Sequence, residues 1–351
     1  MKSRRAGRSG WRSYPLFFLL LVTAASQACV AGASLGARST VELPPNDANR
    51  AVAWFAPLVN SDNIALSRWR KSVGPPVVPS SSRDNNGPHD TLTVISWNTA
   101  VGDADIVGFV RSQADPRQPL VMLLQEVYRS GSVVPSTLDR DFAFAGRLGG
   151  ESDERAGREI EEVGRLLNLS VYYVPSMRNG GESSNEDRGN AILSNLPLSD
   201  LQAIELPFER QRRVAIAATV HGCTSSGNPW DMRVVSAHLD NMGSAKRAWI
   251  GSEYGRARQA RGLAALLQDD EPTILGGDFN TWFGYSDQAY IETAREFPET
   301  RVVDRRPTFR GLLRLDHVFY RLPRAWRLEM RRGESRFGSD HYPLLGSLHF
   351  N

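Results

Sequence analysis

The chain has 351 residues, 42 basic and 39 acidic side chains and a formal net charge of +3. Its 41 % hydrophobic and 23 % charged content excludes a disordered or fibrous chain and is enough to bury one large core or two small ones. There is no internal repeat, and two cysteines, Cys29 and Cys223, exclude a disulfide framework and a cysteine-built metal site.

The first 28 residues have the layout of a secretory signal peptide. A basic start, MKSRRAGRSGWR, precedes the apolar run YPLFFLLLVTAA (14–25) and a small-residue stretch, SQACVAGA. The run is shorter than the ~20 residues of a relaxed membrane span. Export is therefore expected, to the medium or the periplasm, with an uncleaved anchor or a lipid on Cys29 as the alternatives. Residues 1–28 hold five bases and no acid, so removal leaves 37 bases against 39 acids. A global basic footprint for nucleic acid is then absent. Eleven arginines between Arg301 and Arg336 face only four acids, which makes a local phosphate-attracting rim there.

Residues 29–90 read as a lead-in with short helices followed by a Pro/Ser/Asn-rich linker, VGPPVVPSSSRDNNGPHD. From Thr91 strands and helices alternate: strand 91–98, helix 104–113, strand 120–127, helix 159–168 and strand 169–175. A polar loop at 180–189 leads into the strands NAILSN, VAIAATVHG and MRVVSAHLD. ARQARGLAALLQ (257–268) is an amphipathic helix, and TILGGDFN, RLDHVFYR and YPLLGSLHF complete the strands. Strands that follow one another without helices predict antiparallel or mixed pairing in two packed sheets.

The polar residues of interest share one placement, at or just beyond the end of an apolar strand: Asn98, Glu126, His238, Asp278 with Asn280, Asp316, and Asp340 with His341. In ILGGDFNTW (274–282), strand alternation carried through Asn280 would set its amide beside the Asp278 carboxylate, giving a proton acceptor and a neutral hydrogen-bonding group at one point. An Asx-turn after the strand is the competing reading.

The ordered set SWN (96–98), LLQE (123–126), GNAILSN (189–195), SAHLD (236–240), GGDFN (276–280), LDHVF (315–319) and SDHYP (339–343) resembles the endonuclease/exonuclease/phosphatase superfamily, the deoxyribonuclease I-like fold. The resemblance spans about Thr91 to Phe350 and implies an α/β fold: a four-layered sandwich of two packed sheets flanked by helices. It also implies metal-dependent phosphoester hydrolysis. By that resemblance Glu126 is the main ligand of Mg²⁺, or of Mn²⁺ in its place, with Asn98 and Asp340 beside it. A hard cation of this kind keeps several waters and needs only one or two carboxylates. The resemblance makes Asp278 the base that activates water and Asn280 a clamp. His341, paired with Asp316, and His238 become the phosphate-facing histidines. Asn190, Arg129 and Arg188 are weaker substrate-binding candidates, and Arg256 weaker still. The expected substrate is a phosphodiester, nucleic acid first, with a sphingomyelin-like phospholipid or a phosphoinositide-type monoester as the alternative, no obligate protein partner and a monomeric state. A catalytically inactive binding protein is the remote alternative, and it would lack one of these acids.

Overall fold

The computed structural model describes residues 35–37, 46–79, 87–115, 118–136, 158–180, 184–241 and 252–350. The proposed signal segment, 1–28, lies outside them. In chain order the elements are β1 (Leu35–Ala37), α1 (Asp47–Arg50), β2 (Ala53–Pro57), α2 (Asn60–Arg70), β3 (Thr91–Asn98), α3 (Ile106–Gln113), β4 (Leu120–Ser130) and α4 (Ile160–Leu167). They continue as β5 (Ser170–Arg178), β6 (Glu186–Ser194), β7 (Leu198–Glu205), β8 (Val214–Cys223), β9 (Pro229–His238) and α5 (Ser252–Ala265). The chain closes with β10 (Thr273–Asp278), α6 (Gln288–Glu296), β11 (Asp316–Arg321), β12 (Arg327–Arg332) and β13 (Leu344–His349).

The strands make two sheets, ordered β1-β2-β7-β8-β9-β10-β11 and β12-β13-β3-β4-β6-β5. Both are mixed: β9–β10 and β3–β4 are parallel, and most other pairs are antiparallel. Their sequences alternate two apolar sets, because both faces of each sheet are covered. On β3 and β4, Leu92, Val94, Val121 and Leu123 face the other sheet's Ile216, Val234 and Ile274. The intervening Ile95, Trp97, Met122 and Leu124 face Phe109, Val110, Ile160 and Val163 of α3 and α4. On the second sheet Val235, Leu275 and Phe319 turn outward to Ala260, Leu263 and Ala289 of α5 and α6. These are the four layers expected of the sandwich, and each large side chain so buried contributes roughly 1.5–3 kcal/mol.

The described part of the lead-in is built into this domain. In the lead-in, where short helices are expected, AWFAP forms strand β2, which pairs in parallel with β7 (Ala53↔Gln202). Trp54 and Phe55 carry bulk to both faces of that strand, which a strand accommodates better than a four-residue helix. Val77, in the expected linker, bridges to Tyr173 of β5. The α2 arginine Arg70 and the β7–β8 arginine Arg212 share Glu205, each at 2.6 Å. Two strands were not legible as such: β7 (LSDLQAIE) and β12 (RLEMRR) carry too many polar side chains to show a full apolar period. Residues 186–189, expected in a loop, open strand β6. Among the described residues no helix is long and apolar enough to cross a membrane.

Candidate active site

Sheet register assembles the centre of the site. Across β9, β10 and β11, His238 stands opposite Asp278, and Asp278 opposite Asp316, so three distant segments form one row. From the other sheet, Asn98 ends β3 and its amide donates to Asp278 Oδ2 at 2.9 Å. The loop before β13 delivers His341. Its backbone N–H donates to Ser339 Oγ, whose hydroxyl donates to Asn98 O at 2.7 Å, and Trp97 Nε1 donates to His341 O at 3.0 Å.

The groups form an unbroken chain of contacts. Glu126 Oε1 lies 3.9 Å from His238 Nδ1, and His238 Nε2 lies 3.5 Å from Asp278 Oδ2. Asp278 Oδ2 is 3.7 Å from His341 Nε2, and His341 Nδ1 is 2.7 Å from Asp316 Oδ2. Asp340, one-third exposed, stands 3.8 Å from His341 Nε2. The sequence-predicted Asn98, Glu126, His238, Asp278, Asn280, Asp316, Asp340 and His341 are thus brought to one place.

The expected side-by-side projection of Asp278 and Asn280 does not occur. β10 ends at Asp278, and Asn280 has φ 49°, in the left-handed region. Its N–H donates to Asp278 Oδ1 at 2.9 Å, which is the Asx-turn. The turn still serves the site. The Asn280 amide donates to Leu239 O, an acceptor only, so the same nitrogen must donate to His238 Nε2 at 3.1 Å. His238 Nε2 is therefore an acceptor, and its proton sits on Nδ1, facing Glu126.

Charge follows from these contacts. Burial pushes the Asp278 carboxyl up to about 7; His341 opposes the shift, Asp316 adds to it, and the hydrogen bonds from Asn280 and Asn98 oppose it. Burial alone would lower His341, but Asp316 and Asp278 outweigh it and raise the imidazole to about 10. Burial holds His238 well below its ordinary value, with Arg213, His341 and Arg188 adding to the effect. The site therefore holds a buried base near neutrality between a neutral imidazole and an imidazolium.

Glu126 fits a hard divalent cation. Its side chain is 18 % exposed, and among the described residues its carboxylate meets no donor closer than His238 at 3.9 Å. Asp278, Asp316 and His341 also bring ligand atoms within 4.8 Å of one another, and Asp316 Oδ1 is buried without a partner. Within that trio His341 Nδ1 and Asp316 Oδ2 also share a hydrogen bond at 2.7 Å.

Three weaker candidates are corrected. Arg129 is buried in an ion pair with Asp187 (2.6 Å) and donates to Pro75 O, so its fork is already occupied away from the row. Asn190 donates to Val214 O and Ser236 O, tying β6 to the opposite sheet. Arg256 is buried against Asp287, the N-cap of α6. Arg188 is not on a loop but buried on β6, beside Glu126. Sequence reading missed Arg213, also buried, at the entry to β8. The available signal was a pair of arginines directly ahead of the apolar run VAIAATV.

The fold is thus a four-layered α/β sandwich that gathers carboxylates and histidines at one end of β9, β10 and β11. Residues 95–341 match the Endonuclease/Exonuclease/phosphatase family, and the chain belongs to it. A UPF0294 protein of Vibrio vulnificus is 38 % identical over 120 residues, 32 % of this chain and 38 % of that one. A UPF0294 protein of Vibrio parahaemolyticus is 31 % identical over 127 residues, 35 % of this chain and 42 % of that one. The chain thus spans less than half the length of these relatives. An endonuclease/exonuclease/phosphatase structure from Beutenbergia cavernae superposes with a TM-score of 0.52 at 20 % identity, covering 75 % of this chain and 72 % of that one, which speaks for the fold.

Proposed function

We propose that the protein is an exported, divalent-cation-dependent phosphodiester hydrolase acting on nucleic acid. The observation that carries this is the placement of Asp278. It is a fully buried carboxylate raised to about 7, fixed by two hydrogen-bond donors and flanked by His238 and His341. A base works best when its pKa lies near the working pH.

Asp278 takes the proton of the attacking water, and Asn98 and the Asn280 N–H fix which lone pair faces it. His341, kept cationic by Asp316, offsets charge that develops on the phosphoryl oxygens. His238, neutral and with its proton on Nδ1, leaves the base free of a competing cation. Glu126 would hold Mg²⁺ or Mn²⁺, whose chemistry there is polarisation of a phosphoryl oxygen. The Asn98 amide nitrogen serves Asp278, and its oxygen accepts from Ala100 N with one lone pair left over. Export rests on residues 1–28.

One observation favours a phospholipid as the second reading. Trp282, Phe283 and Leu312, beside Asn280 and Phe309, are 39 %, 60 % and 78 % exposed. A panel of plasmid DNA, RNA, sphingomyelin vesicles and bis-p-nitrophenyl phosphate, each with Mg²⁺, Mn²⁺ and EDTA, separates the readings. Turnover that survives EDTA refutes the cation, and turnover of vesicles alone refutes nucleic acid.

A further inference from the structure

The buried arginines among the described residues divide by partner, and one of them, Arg178, is held by the backbone carbonyls of Pro135 and Ser184. Arg129, Arg212, Arg233 and Arg256 each hold a carboxylate, at 2.6–2.8 Å. Among the described residues Arg188 and Arg213, 4 % and 5 % exposed, touch no carboxylate. Arg188 donates to Asn179 Oδ1 at 3.1 Å and touches the sulfur of Met177. Among the described residues Arg213 donates to Gln211 Oε1, at 3.3 Å, and its buried Nε meets no partner. A desolvated guanidinium without a counter-charge is costly, and more so beside a second one.

Backbone geometry brings these two to the row. Arg188 shares its face of β6 with Asn190, whose amide reaches β8 and β9 of the opposite sheet. Its strand neighbour Asp187 points the other way, to Arg129. The β8–β9 register (Ile216↔Ser236), continued by two residues, sets Val214 level with His238 and Arg213 just beyond. Arg188 feels the charge of Glu126, and both arginines depress the imidazole of His238. Burial lowers Arg188 to about 10, which leaves it fully charged at neutral pH. In strand order, β8, which Arg213 leads into, flanks β9 on the side opposite Asp278's β10, and Arg188's β6 flanks Glu126's β4. Once Glu126 holds a cation, its charge no longer offsets Arg188.

We infer that Arg188 and Arg213 form a second phosphate subsite, so that the substrate presents a phosphate next to the one being cleaved. A planar guanidinium meets the two free oxygens of a phosphodiester at once, and a second guanidinium beside it adds a further cation for the same group. The inference rests on the hydrolase reading and narrows it to substrates with adjacent phosphates, which a polynucleotide has and a single-phosphate lipid lacks.

The test is calorimetric titration of the full chain in EDTA with pyrophosphate and with orthophosphate, so that no cation mediates binding. Pyrophosphate should bind at least about tenfold more tightly than orthophosphate, and Arg188→Gln and Arg213→Gln should each remove at least about tenfold of that affinity. Arg188→Lys and Arg213→Lys keep the charge but lose the fork; they should retain the unfolding temperature and bind pyrophosphate between wild type and the Gln variants. In a parallel assay, the kcat/KM ratio of a 5′-phosphorylated thymidine dinucleotide over bis-p-nitrophenyl phosphate should fall at least about tenfold in each Gln variant. Equal affinity for the two anions, or unchanged pyrophosphate binding in folded variants, overturns the subsite. So does an equal fall for both substrates, which would mark a purely structural role. Faster turnover of phosphatidylcholine vesicles than of the dinucleotide overturns it as well. If wild type turns over neither substrate, the hydrolase reading fails, and the titration alone still decides the subsite.

Discussion

Asp278→Asn tests the site and its electrostatics together. The side chain is isosteric, but it cannot accept a proton from water. General-base assistance is typically worth 10²–10⁴-fold, so kcat should fall by about that factor, roughly 2.7–5.4 kcal/mol of barrier. Stability should move the other way as pH rises. The carboxyl is pushed from 3.8 up to about 7 in the folded protein. Between those values the unfolded chain is ionised while the folded one keeps its proton, so wild-type stability falls as pH rises. At about 1.36 kcal/mol per pKa unit, the burden of burying this charge grows by roughly 2.5 kcal/mol between about pH 5 and pH 8. The Asn variant escapes that burden. It does turn its NH₂ toward either Asn98 Nδ2 or the Asn280 N–H, a mismatch of about 1–3 kcal/mol at every pH. Measured by thermal unfolding in EDTA, the variant's Tm relative to wild type should therefore climb by roughly 3–5 °C from about pH 5 to pH 8. A pH-independent Tm difference would refute the raised carboxyl, and kcat within tenfold of wild type would refute its role as the base.

Three further perturbations probe other parts of the molecule. Glu126→Gln should lower kcat/KM roughly 10²–10³-fold and raise the Mg²⁺ concentration needed for half-maximal turnover, and EDTA should abolish wild-type activity. An unchanged Mg²⁺ requirement would move the cation elsewhere. Gly277→Ala places a Cβ against the carbonyl oxygen of Ala237 on β9, and β10 cannot shift without breaking the His238–Asp278–Asp316 row. About 1–3 kcal/mol of stability should be lost, read as a lower urea midpoint. Burial would raise Glu205, but Arg212 and Arg70 outweigh it and hold its carboxyl below 4.5. Its contribution is therefore complete above that value and is lost as pH falls through the depressed folded pKa. Glu205→Gln should cost roughly 3–5 kcal/mol near pH 7 and flatten the acid limb of the stability curve, and equal stability of the two proteins near pH 7 would contradict this.

What the sequence made legible is what alternation makes legible. Strands with two apolar faces show as unbroken runs, so β3, β4, β9 and β10 were found with their trailing polar residues. The residues of the site were visible for the same reason: Asn98, His238 and Asp278 each interrupt a run that otherwise belongs to the core. Register was not visible, because no local signal says that His238 will stand opposite Asp278. Arginines were hardest to place. Arg129 and Arg188 have the same chemistry and lie close in sequence to Glu126 or beside it in the fold, yet Asp187 pairs with the first while the second meets the Asn179 amide oxygen, a difference fixed by the opposite faces of β6 that Asp187 and Arg188 take.

Glu126 shows how far the local pattern can mislead. On β4, Met122 and Leu124 face α3 and α4, while Val121 and Leu123 face the other sheet. Continued strictly, that alternation would drive the Glu126 carboxylate into the apolar layer under the helices and turn Val127 inward. Instead the register with β6 slips between Leu124 and Val127, so that Gln125 and Glu126 together oppose Asn190. Val127 returns to the outer layer with Leu124, and Gln125 reaches inward to Ser236 Oγ. Glu126 absorbs the extra residue at φ 51°, a conformation that costs a non-glycine residue on the order of 1–2 kcal/mol. Glycine there would relieve the strain but offer no ligand. Asn280 repeats the compromise at φ 49°, where a left-handed residue carries the amide that fixes the tautomer of His238. At both positions the backbone is held where the side chain is needed, and the two strained residues lie on opposite sides of the same imidazole.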